Sequence, residues 1–365
     1  MSYDTRDLIL LNMAGIGFLR FEKIRARYPG LKRAIKAGKE NLCEIEGIGP
    51  KLAEKICSMN ENDIIKEEKL MKAHKAYPLS FFDEGYPENL KNIYDPPLLL
   101  YIKGEFTAAD KLAIALVGSR KASLYGIDTC RRLSGSLANM GFTVVSGLAR
   151  GIDSAAHKGA LLERGRTIAV LGSGIGDIYP LENRKLAQDI ADSGALVSEF
   201  PMAAPPLRHH FPMRNRIISG LSLGTVIVEA AQKSGALITA SCALEQGREV
   251  FAVPGRALST ASSGVHRLIK DGAKLVHSVE DILEELNVEL RPIAKSARGE
   301  APSNRSEELD GPERSICDIV SDEPIYIDEI MEASKLPASE VARSLLSLEM
   351  KKLVKELPGK NYVSV

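Results

Sequence analysis

Six short apolar runs, each followed by a loop, place the strongest constraint on how this chain folds. They lie between residues 111 and 285, where strand-like and helix-like patterns alternate. The runs cover residues 113–117, 143–145, 168–171, 195–197, 225–228 and 250–253. Their nearly continuous apolar character is typical of parallel strands that helices cover on both faces. The sequence therefore predicts an α/β protein with a doubly wound, mostly parallel sheet of the Rossmann-like type.

The loops after the first and third runs are rich in groups that can hold an anion. The first loop reads Gly-Ser-Arg-Lys at 118–121, and the third begins Gly-Ser-Gly at 172–174. In an open α/β sheet, ligands bind beyond the carboxyl ends of the strands. Glycines at that edge let backbone N–H groups approach an anion closely. We therefore expect an anion site there, with Arg120 placed where a doubly wound fold usually meets phosphate.

A cluster of cations surrounds one aromatic ring between the fourth and fifth runs. Residues 208–216 read Arg-His-His-Phe-Pro-Met-Arg-Asn-Arg. Pro212 suits the first position of a helix, because an N–H there has no intrahelical partner anyway. A helix beginning at Pro212 has Arg214 and Arg216 in its first turn, where the positive end of the helix dipole disfavours cations. This arrangement indicates that a negative group meets them.

Two interpretations of this cluster stay open. Cations, free backbone N–H groups and the ring of Phe211 together suit a phosphodiester strand with an unstacked base, with Arg208 just upstream. Alternatively, the two arginines of the helix pair with internal carboxylates such as Glu199 or Glu229.

The composition narrows the classes of protein. There are 48 basic and 48 acidic residues, so any polyanion site must be a local patch. Five scattered cysteines without CxxC spacing favour a reducing compartment, and we expect a cytoplasmic protein. Neither a signal sequence nor an apolar run of about 18 residues is present, so no membrane association is expected.

The flanking segments predict three further parts. Residues 1–76 carry two Gly-Ile-Gly turns, at 15–17 and 47–49, each followed by a helical pattern. They predict an all-helical domain of helix-hairpin-helix or SAM-like type, whose hairpins either contact phosphates or are only tight turns. Residues 77–285 form the core, with a lead-in strand at 98–102. Residues 286–312 read as a flexible linker.

The last segment, residues 313–365, has three helical patterns and two strand-like pieces around Pro-Gly-Lys at 358–360. This order predicts a winged helix. Its candidate recognition helix has one exposed cation, Arg343, which favours a protein-binding or vestigial role over duplex DNA binding.

Enzymatic motifs are weak. The nucleophile-elbow pattern at 220–224 has a helix before it and a strand after it, the reverse of what that motif needs. Asp153 and His157 lie one helical turn apart without a third ligand, which favours a structural pair. Gly224, Thr225 and Glu229 partly match a phosphoribohydrolase loop. A nucleotide-processing enzyme therefore stays as the alternative, and we expect no catalytic residue, metal or cofactor.

Together, the motifs resemble those of the DNA-processing protein A family, also called DprA or Smf. The carriers are Val-Gly-Ser-Arg at 117–120, Ser-Gly-Leu-Ala-x-Gly-Ile-Asp-x-x-Ala-His at 146–157, Phe-Pro-x-Arg-Asn-Arg-Ile-Ile-Ser-Gly-Leu-Ser at 211–222, Ser-Gly-Ala-Leu-Ile-Thr-Ala at 234–240 and Val-Pro-Gly at 253–255. The resemblance covers essentially the whole chain. It implies single-stranded DNA binding, protection of incoming DNA during natural transformation, loading of the RecA recombinase and a homodimer built through the core.

Carried over to this chain, the resemblance implies a role for each residue of the pocket. Arg120, Arg208 and Arg214 are expected to contact phosphates, and Phe211 to stack a base. The loop amides at 118 and 172 are expected to neutralise backbone oxygens. Whether Arg216 faces DNA or the core stays open. The complete set of candidate DNA-binding residues is Arg120, Arg208, Phe211, Arg214, Arg216, Gly118, Ser119, Lys121 and Gly172.

Overall fold

The computed structural model describes residues 3–286, 310–320, 325–351, 353–357 and 359–364. The chain divides into two compact units, Met1–Ile293 and Ala294–Val365. Most of the predicted linker, residues 287–309, lies outside the described residues. The domain boundaries proposed at residues 76, 285 and 312 stay predictions.

Five helices open the first unit, and both predicted Gly-Ile-Gly turns join helix pairs. At the first turn, Gly15 adopts a φ of 90° and ends the first helix, and Gly17 precedes the second. At the second turn, Gly47 has a φ of 87° and Gly49 precedes a helix that begins at Pro50. A positive φ of this kind favours glycine. The helices are α1 Thr5–Ala14, α2 Phe18–Arg27, α3 Leu31–Cys43, α4 Pro50–Ser58 and α5 Glu61–His74.

A nine-stranded sheet forms the centre of this unit. The six strands predicted from the apolar runs are present within one residue at each end. The lead-in strand predicted at 98–102 is present as well, and it extends two residues further, to Gly104. The strands are β1 Ala76–Ser80, β2 Leu99–Gly104, β3 Ala113–Val117, β4 Thr143–Ser146, β5 Thr167–Val170, β6 Ala195–Ser198, β7 Gly224–Ile227, β8 Glu249–Ala252 and β9 Lys274–Leu275.

The strand order is β1-β2-β6-β5-β4-β3-β7-β8-β9. The pairs from β6 through β9 are parallel, whereas β1 and β2 join the β6 edge in antiparallel register. The chain runs outward from β3 to β6 and then returns to place β7 on the other side of β3. The carboxyl ends of the paired strands β3 and β7 therefore mark the topological switch point, where open α/β sheets bind ligands. The doubly wound prediction is confirmed.

Helices cover both faces of the sheet. Buried side chains form one cluster around Val145 and Ile217 and another around Ile114 and Phe142. A third cluster joins α1–α4 to β2 and to Met202 in the loop after β6, so the helical segment packs directly on the core. The helices that follow α5 in this unit are α6 Glu88–Lys91, α7 Leu124–Asn139, α8 Ile152–Leu162, α9 Arg184–Ser193, α10 His210–Leu221, α11 Gly235–Glu245, α12 Ser263–Lys270 and α13 Val279–Leu286.

The second unit is a winged helix, as the sequence predicts. A three-stranded sheet of order β10-β12-β11 closes over a core centred on Ile316 and Leu345. Its elements are α14 Gly311–Ile319, β10 Ile325–Tyr326, α15 Ile327–Ser334, α16 Ala338–Met350, β11 Val354–Leu357 and β12 Asn361–Ser364. Across the described part of both units, no helix has the length and apolar character needed to cross a bilayer.

Candidate nucleic-acid interface

A groove of about 890 Å³ opens at the switch point. The loop after β3, the start of α8, the start of α10 and the loop before α11 form its walls. It brings together cations from segments far apart in sequence. The side chains and loop residues that line it include Gly118, Ser119, Arg120, Lys121, Asp153, Tyr179, Arg208, Phe211, Arg214, Asn215, Lys233 and Ser234.

An aromatic ring and a guanidinium group meet in this groove. The Cζ atom of Arg120 lies 5.1 Å from the centroid of the Phe211 ring. The centroids of the Tyr179 and Phe211 rings are 5.9 Å apart. The ring packs against the backbone of Gly172, where an added Cβ would lie 2.7 Å from the Cδ1 atom of Phe211. Gly172 is therefore needed for its lack of a side chain, in addition to any role of its amide.

The loop at 118–121 is held in place by Glu229. The Ser119 amide donates to the Glu229 carbonyl oxygen at 2.7 Å, and the Ser123 amide donates to the Glu229 carboxylate at 3.1 Å. Gly118 packs tightly, since a Cβ there would approach the Cγ1 atom of Ile152 to 2.6 Å. Because the Glu229 carboxylate is bonded to Ser123, it forms no ion pair with either arginine of α10.

The predicted start of α10 is wrong by two residues. The helix begins at His210, because a turn from Leu207 already brings the His210 amide to the Leu207 carbonyl oxygen at 3.0 Å. Pro212 is the third residue, where its missing N–H is still no loss, since the first four N–H groups lack intrahelical partners. Arg214 is then the fifth residue of the helix. The dipole argument for an external anion is weaker there, because the effect fades after the first turn.

Arg214 forms part of the groove floor but is almost completely buried. Its exposure is 3%, and a Cβ on Gly147 would overlap its Nη1 atom. Burial lowers the pKa of Arg214 to about 10, the charge of Asp153 opposes that shift, and Arg120 adds to it. Within the described residues, its Nε and Nη1 atoms have no hydrogen-bond partner. A phosphate contact by Arg214 stays a prediction.

Arg216 points away from the groove. Its Nη2 atom donates to the Glu199 carboxylate at 2.6 Å, and its Nε atom lies 3.8 Å from Asp95. Its side chain is 18% exposed, and burial raises the pKa of Glu199 while Arg216 lowers it. Of the two interpretations, the internal ion pair therefore describes Arg216, with Glu199 as its partner. We leave Arg216 out of the proposed DNA site.

Asp153 and His157 were expected to pair with each other, but each bonds to a different residue. The Nδ1 atom of His157 lies 2.7 Å from the Thr167 hydroxyl, and burial lowers the pKa of His157 to about 3. Asp153 accepts a bond from the Ala149 amide at 3.4 Å. Burial raises the pKa of Asp153, and Arg214 opposes that shift. Both side chains are buried parts of the fold. No cluster of three potential metal ligands occurs among the described residues.

Among the groove residues that sequence reasoning missed, two have an aromatic ring or a positive charge. Tyr179 is 43% exposed beside Phe211, and Lys233 extends from the loop before α11. Tyr179 lies in the loop after β5, as Gly172 does. Because open α/β sheets bind ligands beyond the carboxyl ends of their strands, this position could have been included from the sequence. Lys233 has no comparable signal, because its place depends on how β7 and α11 pack.

The fold and groove define a class of protein: an open α/β core with a cationic, aromatic groove at its switch point, followed by a winged helix. Residues 78–287 match the model of DNA recombination-mediator protein A, and residues 300–360 match that of the DprA winged helix domain. The chain belongs to the DNA recombination-mediator protein A family.

Individual relatives agree with this assignment. The chain is 45% identical over 277 residues to Protein Smf of Escherichia coli, covering 76% of this chain and 74% of the relative. It is similar to the X-ray structure of DNA processing protein A from Streptococcus pneumoniae (TM-score 0.67, 35% identity, 78% of this chain and 99% of that one). It is also similar to a structure of DNA processing protein A from Helicobacter pylori, which was solved to describe that protein's single-stranded DNA binding mode. The TM-score is 0.53 and the identity 30%, over 58% of this chain and 96% of that one.

Proposed function

We propose that this chain binds single-stranded DNA in the groove at the switch point and acts as a recombination mediator. The observation that carries the proposal is the contact between Arg120 and Phe211 in a groove that Lys121, Arg208 and Lys233 also line. Exposed cations attract phosphates, and an aromatic ring stacks bases of any sequence. This combination suits a single strand better than a duplex, whose bases are already paired and stacked.

Each part of the groove has a distinct role in this proposal. Arg120, Lys121 and Arg208 are exposed and neutralise phosphates as a strand enters. Phe211 stacks an unpaired base. The amide of Gly118, in the loop that Glu229 holds in place, contributes to the anion site. Arg214 supports the floor with its buried positive charge, partly balanced by Asp153.

The proposed partners of the protein follow from its role as a recombination mediator. We propose that the protein protects incoming single strands in the cytoplasm, passes them to RecA during natural transformation, and does so as a homodimer assembled through the core. The name of the family model supports the mediator role. In this proposal the protein holds DNA without chemical change, so we expect no turnover of nucleotides.

The test is equilibrium binding of a labelled single-stranded oligonucleotide across a salt series, with duplex DNA of the same length as competitor. We compare the intact protein with an Arg120→Ala, Phe211→Ala double variant. The expected result is strong, salt-dependent preference for the single strand that the double variant loses. The matched control is Arg131→Ala with Tyr94→Ala, which removes an exposed arginine and an exposed tyrosine that do not line the groove.

The outcomes separate the alternatives. Affinity that survives the double variant moves the DNA site to the helical or winged-helix segments. Equal loss in the control pair indicates a nonspecific charge effect. An absence of binding, combined with turnover or tight binding of a mononucleotide, favours the nucleotide-processing alternative.

A further inference from the structure

The loop between β6 and α10 leads directly into the groove. This α10 loop covers residues 199–209, includes Arg208 and ends two residues before Phe211. At its other end it contacts the helical segment, because the side-chain amide of Asn12 in α1 donates to the Glu199 carbonyl oxygen at 2.9 Å. The same stretch of chain therefore joins the helical segment to the groove.

A buried carboxylate of α5 holds this loop a few residues further on. Glu67 is 3% exposed, although a glutamate is almost never fully buried unless it has partners. Its Oε1 atom accepts a hydrogen bond from the Met202 amide at 2.7 Å, and the two residues are 135 positions apart in the chain. A buried polar group needs such a bond to offset its loss of water. Glu67 therefore ties α5 to the backbone of the α10 loop.

The α10 loop is bonded in turn to the loop after β5, residues 171–180, which we call the β5 loop. The Gly176 amide donates to the Met202 carbonyl oxygen at 2.8 Å. The Gly174 amide donates to the Ala204 carbonyl oxygen, also at 2.8 Å. The two backbones pack so closely that a Cβ on Gly174 would lie 2.2 Å from the Met202 carbonyl oxygen. Movement of the α10 loop at Met202 must therefore displace the β5 loop.

The β5 loop supports the aromatic ring of the groove. The Phe211 ring packs on the backbone of Gly172, and the Tyr179 ring lies beside it on the same loop. Direct contacts thus lead from Glu67 through the two loops to the ring. Close-packed groups have little free space in which to absorb a displacement, so a shift at one end of such a series reaches the other.

We propose that Glu67 is a positioning residue for the single-strand groove, because its bond to Met202 sets the place of the β5 loop and thereby of the Phe211 ring. This inference rests on the proposed function of the groove. Glu67 does not itself line the groove and acts through the backbones of the two loops. The helical segment then contributes to DNA binding without touching DNA, and a change in the placement of α5 alters single-strand affinity.

The first test measures single-strand affinity in the full chain. Glu67→Ala removes the acceptor for the Met202 amide and should lower the affinity several-fold. Glu67→Gln keeps an oxygen acceptor on a side chain of the same length and should retain most of the affinity. Glu68→Gln is the matched control, because Glu68 is the next residue of α5 and pairs with Arg6 in an exposed salt bridge. Urea unfolding identifies the variants that are folded under the binding conditions.

A double-mutant cycle separates positioning from a general loss of stability. Because Glu67 acts through the ring, Glu67→Ala should have little further effect on the affinity of the Phe211→Ala chain, although it still lowers the stability of that chain. An equal loss of affinity in both chains overturns the proposal, and so does unchanged affinity in a folded Glu67→Ala chain. Where Glu67→Ala does not fold, Glu67→Asp, which is one methylene shorter, takes its place with the same expectations.

Fluorescence tests the position of the β5 loop in the absence of DNA. The chain has no tryptophan, so Tyr179→Trp places a single reporter beside Phe211. In the free protein, Glu67→Ala should change the emission maximum and the acrylamide quenching of this reporter, whereas Glu67→Gln and Glu68→Gln should not. Identical emission and quenching in all of these chains overturn the proposal. A natural chain that does not bind single strands contradicts the proposed function instead, and the fluorescence then decides by itself whether Glu67 positions the loop.

Discussion

The guanidinium group of Arg120 covers the ring of Phe211, with 5.1 Å between Cζ and the ring centroid. A base cannot stack on the covered part of the ring until Arg120 moves. The cation and the ring therefore interact with each other in the free protein and with DNA in the proposed complex. Their contributions to binding should not be independent.

A double-mutant cycle measures this coupling. Arg120→Ala, Phe211→Ala and the double variant are compared by single-strand affinity at fixed salt. Because each group loses its partner in the free protein when the other is removed, we expect a coupling free energy of about 0.5–2 kcal/mol. Strict additivity would show that the contact has no part in binding. Arg131→Ala combined with Phe211→Ala should be additive, since Arg131 does not line the groove.

Gly172→Ala tests the position of the ring. The new Cβ would lie 2.7 Å from the Cδ1 atom of Phe211, so the ring must shift. We expect a loss of single-strand affinity of up to about 1–3 kcal/mol, the range for one stacked base. In the Phe211→Ala chain the same change should have little further effect. Gly311→Ala is the control, because a Cβ there meets nothing within 4 Å and Gly311 does not line the groove. A full-sized loss in the Phe211→Ala chain would contradict the ring-displacement account.

Arg208→Ala and Phe211→Ala should differ in salt dependence. Removing one phosphate contact should reduce the slope of log affinity against log salt by about 1. Removing a stacking ring should lower affinity by roughly 1–3 kcal/mol at every salt concentration without changing the slope. Titrations at four or more salt concentrations distinguish the two effects. An unchanged slope for Arg208→Ala would remove that residue from the phosphate contacts.

Arg216→Met should affect stability and leave DNA binding unchanged. The change leaves the Glu199 carboxylate without the partner that lies 2.6 Å away. Breaking a buried pair costs about 3–5 kcal/mol, and the partial exposure of Arg216 makes this an upper range. Urea unfolding measures the loss, and oligonucleotide binding is measured under native conditions. The Glu199→Gln, Arg216→Met double variant should regain part of the stability. Lost affinity with unchanged stability would place Arg216 in the DNA site.

His157 should make stability depend on pH. Its pKa is lowered to about 3 in the fold because burial disfavours the charged ring, whereas the unfolded value is 6.5. Below pH 6.5 the unfolded chain therefore binds a proton that the folded chain does not. Its contribution to stability is complete above that pH and falls by about 1.4 kcal/mol per unit as the pH decreases towards 3. Urea unfolding at pH 7.5 and 5.5 should show a smaller pH effect in His157→Gln than in the natural chain. Equal pH effects would contradict this origin.

The sheet and its ligand-binding edge were predictable because their signals are local. An apolar run such as 113–117 predicts each strand, and glycines predict the loops that follow. Chain connectivity then places the loops at one edge, since parallel strands all end there. The winged helix was predictable for the same reason, from the order of its helical and strand-like patterns.

The roles within the groove were harder to predict. Arg214 and Arg216 are two residues apart and look equivalent in the sequence, yet one lines the groove floor and the other pairs with Glu199. Two residues along a helix rotate a side chain by about 200°, so the two arginines point in nearly opposite directions. Which direction meets the groove depends on how the helix packs on the sheet.

By itself, the sequence determined the order of the elements, the cationic and aromatic character of residues 208–211, and the edge of the sheet at which they act. Only the tertiary structure decided that Tyr179 and Lys233 join the groove, that Glu229 holds the loop at 118–121, and that His157 bonds to Thr167. The physical reason is the distance along the chain over which each kind of interaction acts. Periodicity and turn chemistry act within one element, whereas these contacts join elements that only the packing of the whole core brings together.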